Sequence, residues 1–301
     1  MLASIIIRAR NEATALQHVL PLLQGQRCDF DFEILVLDND SNDGSQAIVR
    51  AAGLALHHIP RDAFNYARAL NQGAELAQGE YVVNISAHCY PLSDTWLSAL
   101  IQPLRENPQL IASYGRQWTD PQVAPFEAMG NDSIFPPAGR APALVAFSNA
   151  NAAIRRSQLL AHPFNPVVKI LEDHLFYLEL LEHWQFVYVP EALVLHAHDS
   201  FSMRYYLKRW MREGWAYFFI SQHRGYSSPF AKQQQISLRE FFIGYPWLAS
   251  VFARRRKFRT ALMTIPFFWL RDSIWALSFA LAASKHAQIA QDDQDFRKVQ
   301  V

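Results

Sequence analysis

The chain has 301 residues, of which half are apolar and 18% are charged, and its formal net charge at pH 7 is +1. This apolar fraction excludes a disordered chain, and the 11 glycines exclude a collagen-like one. Cys28 and Cys89 are the only cysteines, too few for a disulfide framework or a paired-cysteine zinc site. The first residues lack the basic start and long apolar run of a secretory signal, so we expect a cytoplasmic protein.

In chain order, short apolar runs alternate with stretches of helical period. Strands are predicted at residues 3–8, 33–38, 80–85 and 110–114, and helices at residues 13–23, 45–52 and 65–77. Continuous apolar strands that alternate with helices predict a parallel sheet covered on both faces. Ligands of such folds bind at the carboxyl ends of the strands, which directs attention to residues 10–12, 38–43 and 86–91.

The second half of the chain changes character. Five prolines between residues 119 and 143 predict a long loop. Further on, we expect a return to the sheet at residues 145–154, a helix at 171–184, and short strands at 186–189 and 193–196. Aromatic helices are then predicted at residues 203–222, 237–252 and 260–284.

The net charge is distributed unevenly. Residues 1–203 carry 12 Arg and Lys against 21 Asp and Glu, whereas residues 204–259 carry 12 against 2. A basic segment rich in aromatic residues is typical of a surface for anionic lipid or nucleic acid, and equally of a solvated helical face above buried rings. We expect no nucleic-acid partner.

Residues 260–283 are long enough for a membrane span, which needs about 20 residues. However, Arg271 and Asp272 lie in the middle, where a charge costs about 2.5–3.5 kcal/mol, and Pro266 would kink the helix. We therefore expect a helix that lies on the membrane or packs on the main domain. Residues 254–257 (RRRK) suit anionic head groups. The alternative is a helical hairpin buried in a homodimer interface.

Several polar segments follow predicted strands or open predicted helices. Residues 38–45 (DNDSNDGS) suit the hydroxyls and amides of a nucleoside, or form an ordinary turn and helix cap. Glu172 and Asp173 either interact favourably with the helix dipole or include a general base. His196 and His198 face the same side of a strand end, as polar residues or as contacts to metal or phosphate. The dinucleotide fingerprint and the Walker loop are absent, which disfavours NAD enzymes and ATPases.

Taken in order, six segments resemble those of the family 2 glycosyltransferases, and the best subgroup match is to rhamnosyltransferase-like members. The segments are SIIIRARNE, EILVLDNDSNDGS, FNYARALNQGAELAQGEYVVNISAHCYP, FSNANAAIRRS, ILEDHLFYLELLEHW and YVPEALVLHAHDS. The resemblance implies an α/β GT-A fold, with a mostly parallel sheet sandwiched by helices, over residues 1–203. Residues 204–301 would form a basic, aromatic helical extension that is membrane-proximal or dimerising.

The resemblance also implies roles for individual residues. Asp173 would be the general base, and Glu172 would orient the acceptor or the base. Arg68 would face the diphosphate of a nucleoside-diphosphate sugar donor. The other donor-binding residues would be Ala9, Arg10, Glu12, Asp38, Asn39, Ser86, Ala87 and His88, and the cleft for sugar and acceptor would be lined by Ser148, Asn149 and Asn151.

One segment departs from the family pattern. The family has an acid-x-acid motif whose second acid binds the metal, but this position reads Ser86-Ala87-His88. Mg²⁺ prefers hard oxygen ligands, so His88 and His196 would suit a softer ion such as Mn²⁺ or Zn²⁺ better. Alternatively, the diphosphate is held without metal by Arg68, the histidines and backbone amides.

These features together predict an inverting glycosyltransferase of bacterial surface-polysaccharide synthesis. It would transfer a sugar to an oligosaccharide or lipid-linked acceptor as a peripheral protein at the cytoplasmic face of the membrane. Residues 206–210 (YLKRW) carry Tyr where processive synthases have Gln, so processive synthesis is not expected. The alternatives are a sugar-phosphate nucleotidyltransferase, whose Gly-rich loop is missing here, and a degenerate domain that only binds nucleotide or glycan.

Overall fold

A computed structural model describes residues 1–140, 147–197, 203–222 and 258–285, together with residues 291, 293, 295 and 296. The chain divides into two compact units. The first comprises Met1–Pro166 and Glu172–Phe201, and the second comprises Val167–Leu171 and Ser202–Val301.

The first unit alternates strands with helices, as the apolar runs predict. Its strands are β1 (Ala3–Ala9), β2 (Phe32–Asp38), β3 (Ala55–His58), β4 (Tyr81–Ser86), β5 (Cys89–Pro91), β6 (Leu110–Trp118), β7 (Asn151–Arg155) and β8 (Gln185–His196). Its helices are α1 (Ala13–Gln24), α2 (Ser45–Ala51), α3 (Tyr66–Leu76), α4 (Trp96–Glu106), α5 (Pro125–Ile134), α6 (Arg156–Ala161) and α7 (Glu172–Leu180).

In the described part of the chain, eight strands form one sheet in the order β3-β2-β1-β4-β7-β6-β8-β5. β1 to β4 are mutually parallel, and β6 is parallel to β8. β7 runs antiparallel to both β4 and β6, and β5 runs antiparallel to β8. The expected α/β fold, with a mostly parallel sheet sandwiched by helices, is confirmed.

The core lies on both faces of the sheet. Ile5 and Ile7 of β1 join one cluster with Leu16 of α1, whereas Ile6 joins the other with Leu70 of α3. Because both faces are covered, β1 is buried without interruption from Ala3 to Ile7, including three consecutive isoleucines. Gly73 lets α3 approach β1, since a Cβ there would lie 2.8 Å from Cγ2 of Ile6.

The structure corrects several predicted elements. The loop predicted at residues 119–143 contains helix α5, in which Pro125 occupies the first turn, where a missing N–H costs nothing. The two short strands predicted near the end of the unit are one strand, β8. The short strands β3 and β5 were not predicted. Residues 145–146 and 237–252 of the predicted elements lie outside the described residues.

The second unit contains α8 (Met203–Gln222) and α9 (Phe258–Ala283). Their ring contacts advance in the same direction along both helices, from Tyr206 on Phe267 to Phe218 on Phe279. The two helices therefore run parallel to each other. Gly214 allows the close approach, since a Cβ there would lie 2.8 Å from the carbonyl oxygen of Trp275.

From residue 262 onward, helix α9 keeps its two charged side chains largely or fully buried and exposes many apolar ones. Nη2 of Arg271 lies 2.8 Å from Oδ1 of Asp272, and its guanidinium stacks on the rings of Phe268 and Trp275. From residue 262 to residue 283, the exposed side chains of α9 include no charged group. The large ones are Leu262, Met263, Trp269, Leu270, Leu277, Phe279 and Leu281, which we call the apolar face of α9. No helix within the described ranges is long and apolar enough to cross a membrane.

Candidate functional site

The carboxyl ends of β1, β2 and β4 meet at one edge of the sheet. Ala9 pairs with Asp38 across β1 and β2, and Arg8 pairs with Ser86 across β1 and β4. Hydrogen bonds join the loops that follow: the backbone N–H of Asn11 donates to Oγ of Ser41, and that of Glu12 donates to Oγ of Ser45, each at 2.9 Å. The loops that follow these strands therefore lie side by side, as the fold class predicts.

Asp38 and Asn39 end β2 as buried polar residues, each 1% exposed. Oδ2 of Asp38 accepts hydrogen bonds from Nε2 of Gln46 and from the backbone N–H of Ser41. Nδ2 of Asn39 donates to the carbonyl oxygen of Ile59. Oδ1 of Asp38, its second carboxylate oxygen, and Oδ1 of Asn39, its amide oxygen, are buried without a hydrogen-bond partner among the described residues. Buried acceptors of this kind are normally satisfied, so this strand end can receive N–H or O–H donors of a ligand.

The segment Ser86-Ala87-His88 lies beside these residues. Nδ1 of His88 lies 3.4 Å from Oε1 of Glu12, and its ring centroid is 5.2 Å from that of His196. The pairing of β5 with β8 produces this proximity, because Cys89 lies opposite His196. Nδ1 of His196 is in turn 2.8 Å from Oε1 of Gln117.

This donor set does not suit a resident Mg²⁺ ion. The described residues contain no group of three or more His, Cys, Asp or Glu side chains placed to hold a metal ion. The resemblance places Ser86 and His88 where the family has two carboxylates, and hard cations such as Mg²⁺ prefer oxygen ligands. No reaction step is therefore assigned to a metal.

Glu172 and Asp173, the acidic pair, open helix α7. Oδ2 of Asp173 accepts a hydrogen bond from the backbone N–H of Asn149 at 3.0 Å, and Oδ1 accepts one from that of His174 at 2.8 Å. Leu171, just before the pair, has φ = 66°, a conformation that Leu rarely adopts and that is typical of a functional site.

Burial and the neighbouring charge of Glu172 raise the pKa of Asp173 to about 7, against the opposing effect of the two backbone N–H groups and Arg8. Burial also lowers the pKa of His174 to about 4, so its imidazole is neutral at pH 7. A carboxyl group with a pKa near the working pH can accept a proton and release it again.

Arg8 is the site residue that the sequence reasoning missed. Its guanidinium lies 4.8 Å from the ring centroid of Tyr66, and Nη1 lies 3.7 Å from Oε1 of Glu172. The signal was present in the sequence as a cation at the end of a run of isoleucines, because charged residues are rarely buried without a partner.

The residues predicted to line the sugar and acceptor cleft differ in position. Ser148 is partly exposed, whereas Asn149 is buried and accepts a hydrogen bond from Nδ2 of Asn84. Asn151 is fully buried: it accepts from Nε1 of Trp96 and donates to two backbone carbonyls. Asn151 therefore joins β7 to its neighbours inside the core and does not face an open cleft.

The predicted donor-binding residues also separate into two groups. Ala9 and Ala87 are 4% and 1% exposed, so their side chains are core groups and only their backbone can meet a ligand. Arg10 and Arg68 are exposed cations, at the end of β1 and in the first turn of α3. The N-cap Asn65 accepts from the backbone N–H of Arg68, which fixes the start of this helix.

Solved structures of similar fold include two sugar-nucleotide complexes. The mannosyltransferase PcManGT from Pyrobaculum calidifontis, in complex with GDP-Man and Mn²⁺, aligns at a TM-score of 0.57 and 18% identity, covering 96% of this chain and 83% of that one. Glucosyl-3-phosphoglycerate synthase from Mycobacterium tuberculosis, with Mn²⁺, UDP-Glc and phosphoglyceric acid, aligns at 0.54 and 16%, covering 76% and 81%. At these identities, the likeness shows the fold.

The family is established by sequence. A comparison with curated protein sequences finds no match. The family model described as "Glycosyl transferase family 2" matches residues 4–157, which is just over half of the chain and contains β1 to β7. The chain belongs to glycosyl transferase family 2.

Proposed function

We propose that the protein is an inverting glycosyltransferase that moves a sugar from a nucleoside-diphosphate donor to a hydroxyl of a glycan or lipid-linked acceptor. The observation that carries the proposal is Asp173. Its carboxylate is oriented by two backbone N–H groups beside a second acid, and its pKa is raised to about 7. This is the arrangement that a general base needs.

The proposed chemistry is a single displacement. Asp173 takes the proton of the acceptor hydroxyl, and the hydroxyl oxygen attacks the anomeric carbon from the face opposite the diphosphate. The new C–O bond forms as the bond to the diphosphate oxygen breaks, and that electron pair leaves with the nucleoside diphosphate. One displacement inverts the anomeric carbon, and holding both substrates in line supplies much of the rate.

The end of β2 supports a nucleotide as the part of the donor that the protein binds. The unpartnered oxygens of Asp38 and Asn39 can accept N–H groups of a base or O–H groups of a ribose. The likeness to solved complexes with GDP-Man and UDP-Glc supports a sugar nucleotide as donor. For the diphosphate, we propose the exposed Arg68 and Arg10 with His88, because the described residues form no metal cluster.

For the acceptor and the location, we propose a rhamnosyltransferase-like enzyme of bacterial surface-polysaccharide synthesis at the inner face of the membrane. The apolar face of α9 supports this location, since exposed apolar patches of this kind mark interaction surfaces. The four cations of residues 254–257 directly precede that helix in sequence and suit anionic lipid. A homodimer that buries the same face is the alternative.

The substitution Asp173→Asn tests the proposed base. We expect turnover to fall by at least about 100-fold, which is the usual contribution of a general base, with nucleotide binding unchanged. The measurement is release of nucleoside diphosphate in the presence of a lipid or glycan acceptor, together with nucleotide affinity by calorimetry. Asp94→Asn, on a half-exposed carboxylate paired with Arg27, is the matched control. Full activity in the Asp173 variant would refute Asp173 as the base, whereas nucleotide binding without turnover in the wild type would favour a domain that binds nucleotide or glycan without catalysis.

A further inference from the structure

Arg8 is a partly buried cation placed by the geometry of β1. Side chains alternate between the two faces of a strand, so Arg8 shares the face of Ile6, against which α3 packs. Tyr66 is the first residue of α3, and its ring lies under the guanidinium. The side chain of Arg8 is only 16% exposed.

The interactions of Arg8 are few for a charge that is largely removed from water. Nη1 has no hydrogen-bond partner among the described residues, and its ion pair with Glu172 is longer than a hydrogen bond. Burying a guanidinium costs free energy unless other charges compensate for it. The compensating charges here are those of the acidic pair.

Two adjacent carboxylates in a buried place repel each other, so one of them tends to stay protonated. We propose that Arg8 is a positioning residue for the transfer reaction: held on the ring of Tyr66, it anchors Glu172 and supplies the positive charge beside which Glu172 and Asp173 can both be ionised. This inference rests on the proposed function, because it assigns Arg8 to the same reaction.

Among the groups that shift the pKa of Asp173, Arg8 is the positively charged side chain. Glu172 of α7 raises the pKa of Asp173, and the backbone N–H groups of Asn149 and His174 lower it. Arg8, on β1, is the cation that acts on Asp173. Without Arg8, only the two backbone N–H groups would favour the ionised form of Asp173, while burial and the negative charge of Glu172 would oppose it. The carboxyl group of Asp173 would therefore hold its proton to higher pH.

The first test is the pH profile of kcat/KM in Arg8→Met and Arg8→Lys. We expect the acid limb to move to higher pH by about 1 pH unit in Arg8→Met and by less in Arg8→Lys, which keeps the charge. Arg105→Met is the matched control, since Arg105 also combines an ion pair, with Asp29, and a ring contact, with Phe30, but near the amino end of β2. A rate that falls equally at every pH, with the limb unmoved, would overturn the proposal.

A second test needs no turnover and separates this inference from the proposed function. We expect the Tm of Arg8→Met to fall further below that of wild type as the pH rises from 5 to 9. In the variant, the ionised carboxylate of Asp173 has lost the positive charge of Arg8 that stabilises it in the wild type. In an Asp173→Asn background the difference should stay constant. A constant difference in both backgrounds would make Arg8 a packing residue only. Absence of turnover with every donor would refute the proposed function and leave this stability test intact.

Discussion

At the scale of single residues, Asp173 links stability to catalysis. Because its pKa is raised to about 7 in the folded protein, the folded state keeps a proton that the unfolded state loses near pH 4. Stability should therefore fall as the pH rises from about 4 to about 7. Asp173→Asn removes this penalty while keeping an oxygen for the N–H of Asn149, so we expect it to be more stable than wild type at pH 8 by on the order of 2 kcal/mol.

Urea unfolding of both proteins between pH 4 and pH 9 measures this difference. The gain should vanish at the acid end of the range, where wild-type Asp173 is protonated as well. Asp94→Asn should show no gain that depends on pH. A variant that is less stable than wild type at pH 8 would mean that Asp173 is held by its hydrogen bonds more strongly than burial opposes its charge.

The same scale shows how far the sequence could predict the site. Motif order placed Asp38 and Asn39 at a strand end and the acidic pair at a helix start, and the strand order explains why Asp38 lies opposite Ala9. Arg8 was missed because its partners, Tyr66 and Glu172, come from distant parts of the chain. Asn151 was assigned to the cleft, but it lies in the core. Whether an asparagine after a loop faces a cleft or the core depends on partners such as Trp96, which the sequence does not reveal.

At the scale of helices and strands, amino-acid composition gave wrong predictions where the hydrophobic periodicity was weak. The prolines around α5 indicate a loop, yet proline is well tolerated in a first helical turn, which is where Pro125 lies. Strong periodicity was more reliable, since α8 spans the predicted residues 203–222. β3 has no fully buried residue, so its four residues carried no apolar run to detect.

Also at this scale, the apolar face of α9 gives a testable prediction about the membrane. The double variant Trp269→Gln/Leu277→Gln exchanges two exposed apolar side chains for polar ones. We expect it to bind anionic vesicles at least about tenfold more weakly, because burying one large apolar side chain contributes about 1.5–3 kcal/mol. Flotation with phosphatidylglycerol vesicles, at low and high salt, is the measurement.

Leu160→Gln is the control for this variant, since Leu160 is exposed to a similar degree but lies on α6 of the first unit. Unchanged vesicle binding in the double variant would count against a lipid-facing α9. If, in addition, a wild-type dimer became monomeric by light scattering, the face would be assigned to a second copy of the chain.

At the scale of the whole molecule, the chain combines a family fold with an altered metal position. The sheet order brings the carboxyl ends of β1, β2 and β4 to one edge, and the pairing of β5 with β8 places His88 beside His196. The fold is thus retained, while Ser86 and His88 replace the carboxylates that the family uses. A family enzyme altered in this way needs another source of positive charge for its leaving diphosphate, and exposed arginines and imidazoles are the groups available.

This reasoning predicts the outcome of a thermal-shift panel with UDP, dTDP, GDP, CMP and NAD, each with EDTA, Mg²⁺ or Mn²⁺. A ligand that binds only the folded state stabilises it by about 2.7 kcal/mol at 100 times its Kd. We expect one nucleoside diphosphate to raise Tm by several degrees, and to do so equally with EDTA. In Ser86→Asp/His88→Asp, which restores the acid-x-acid motif, the shift should come to depend on Mn²⁺. A wild-type shift only with metal would assign a metal site to His88 and its neighbours, and no shift with any nucleotide would remove the support for a sugar-nucleotide donor.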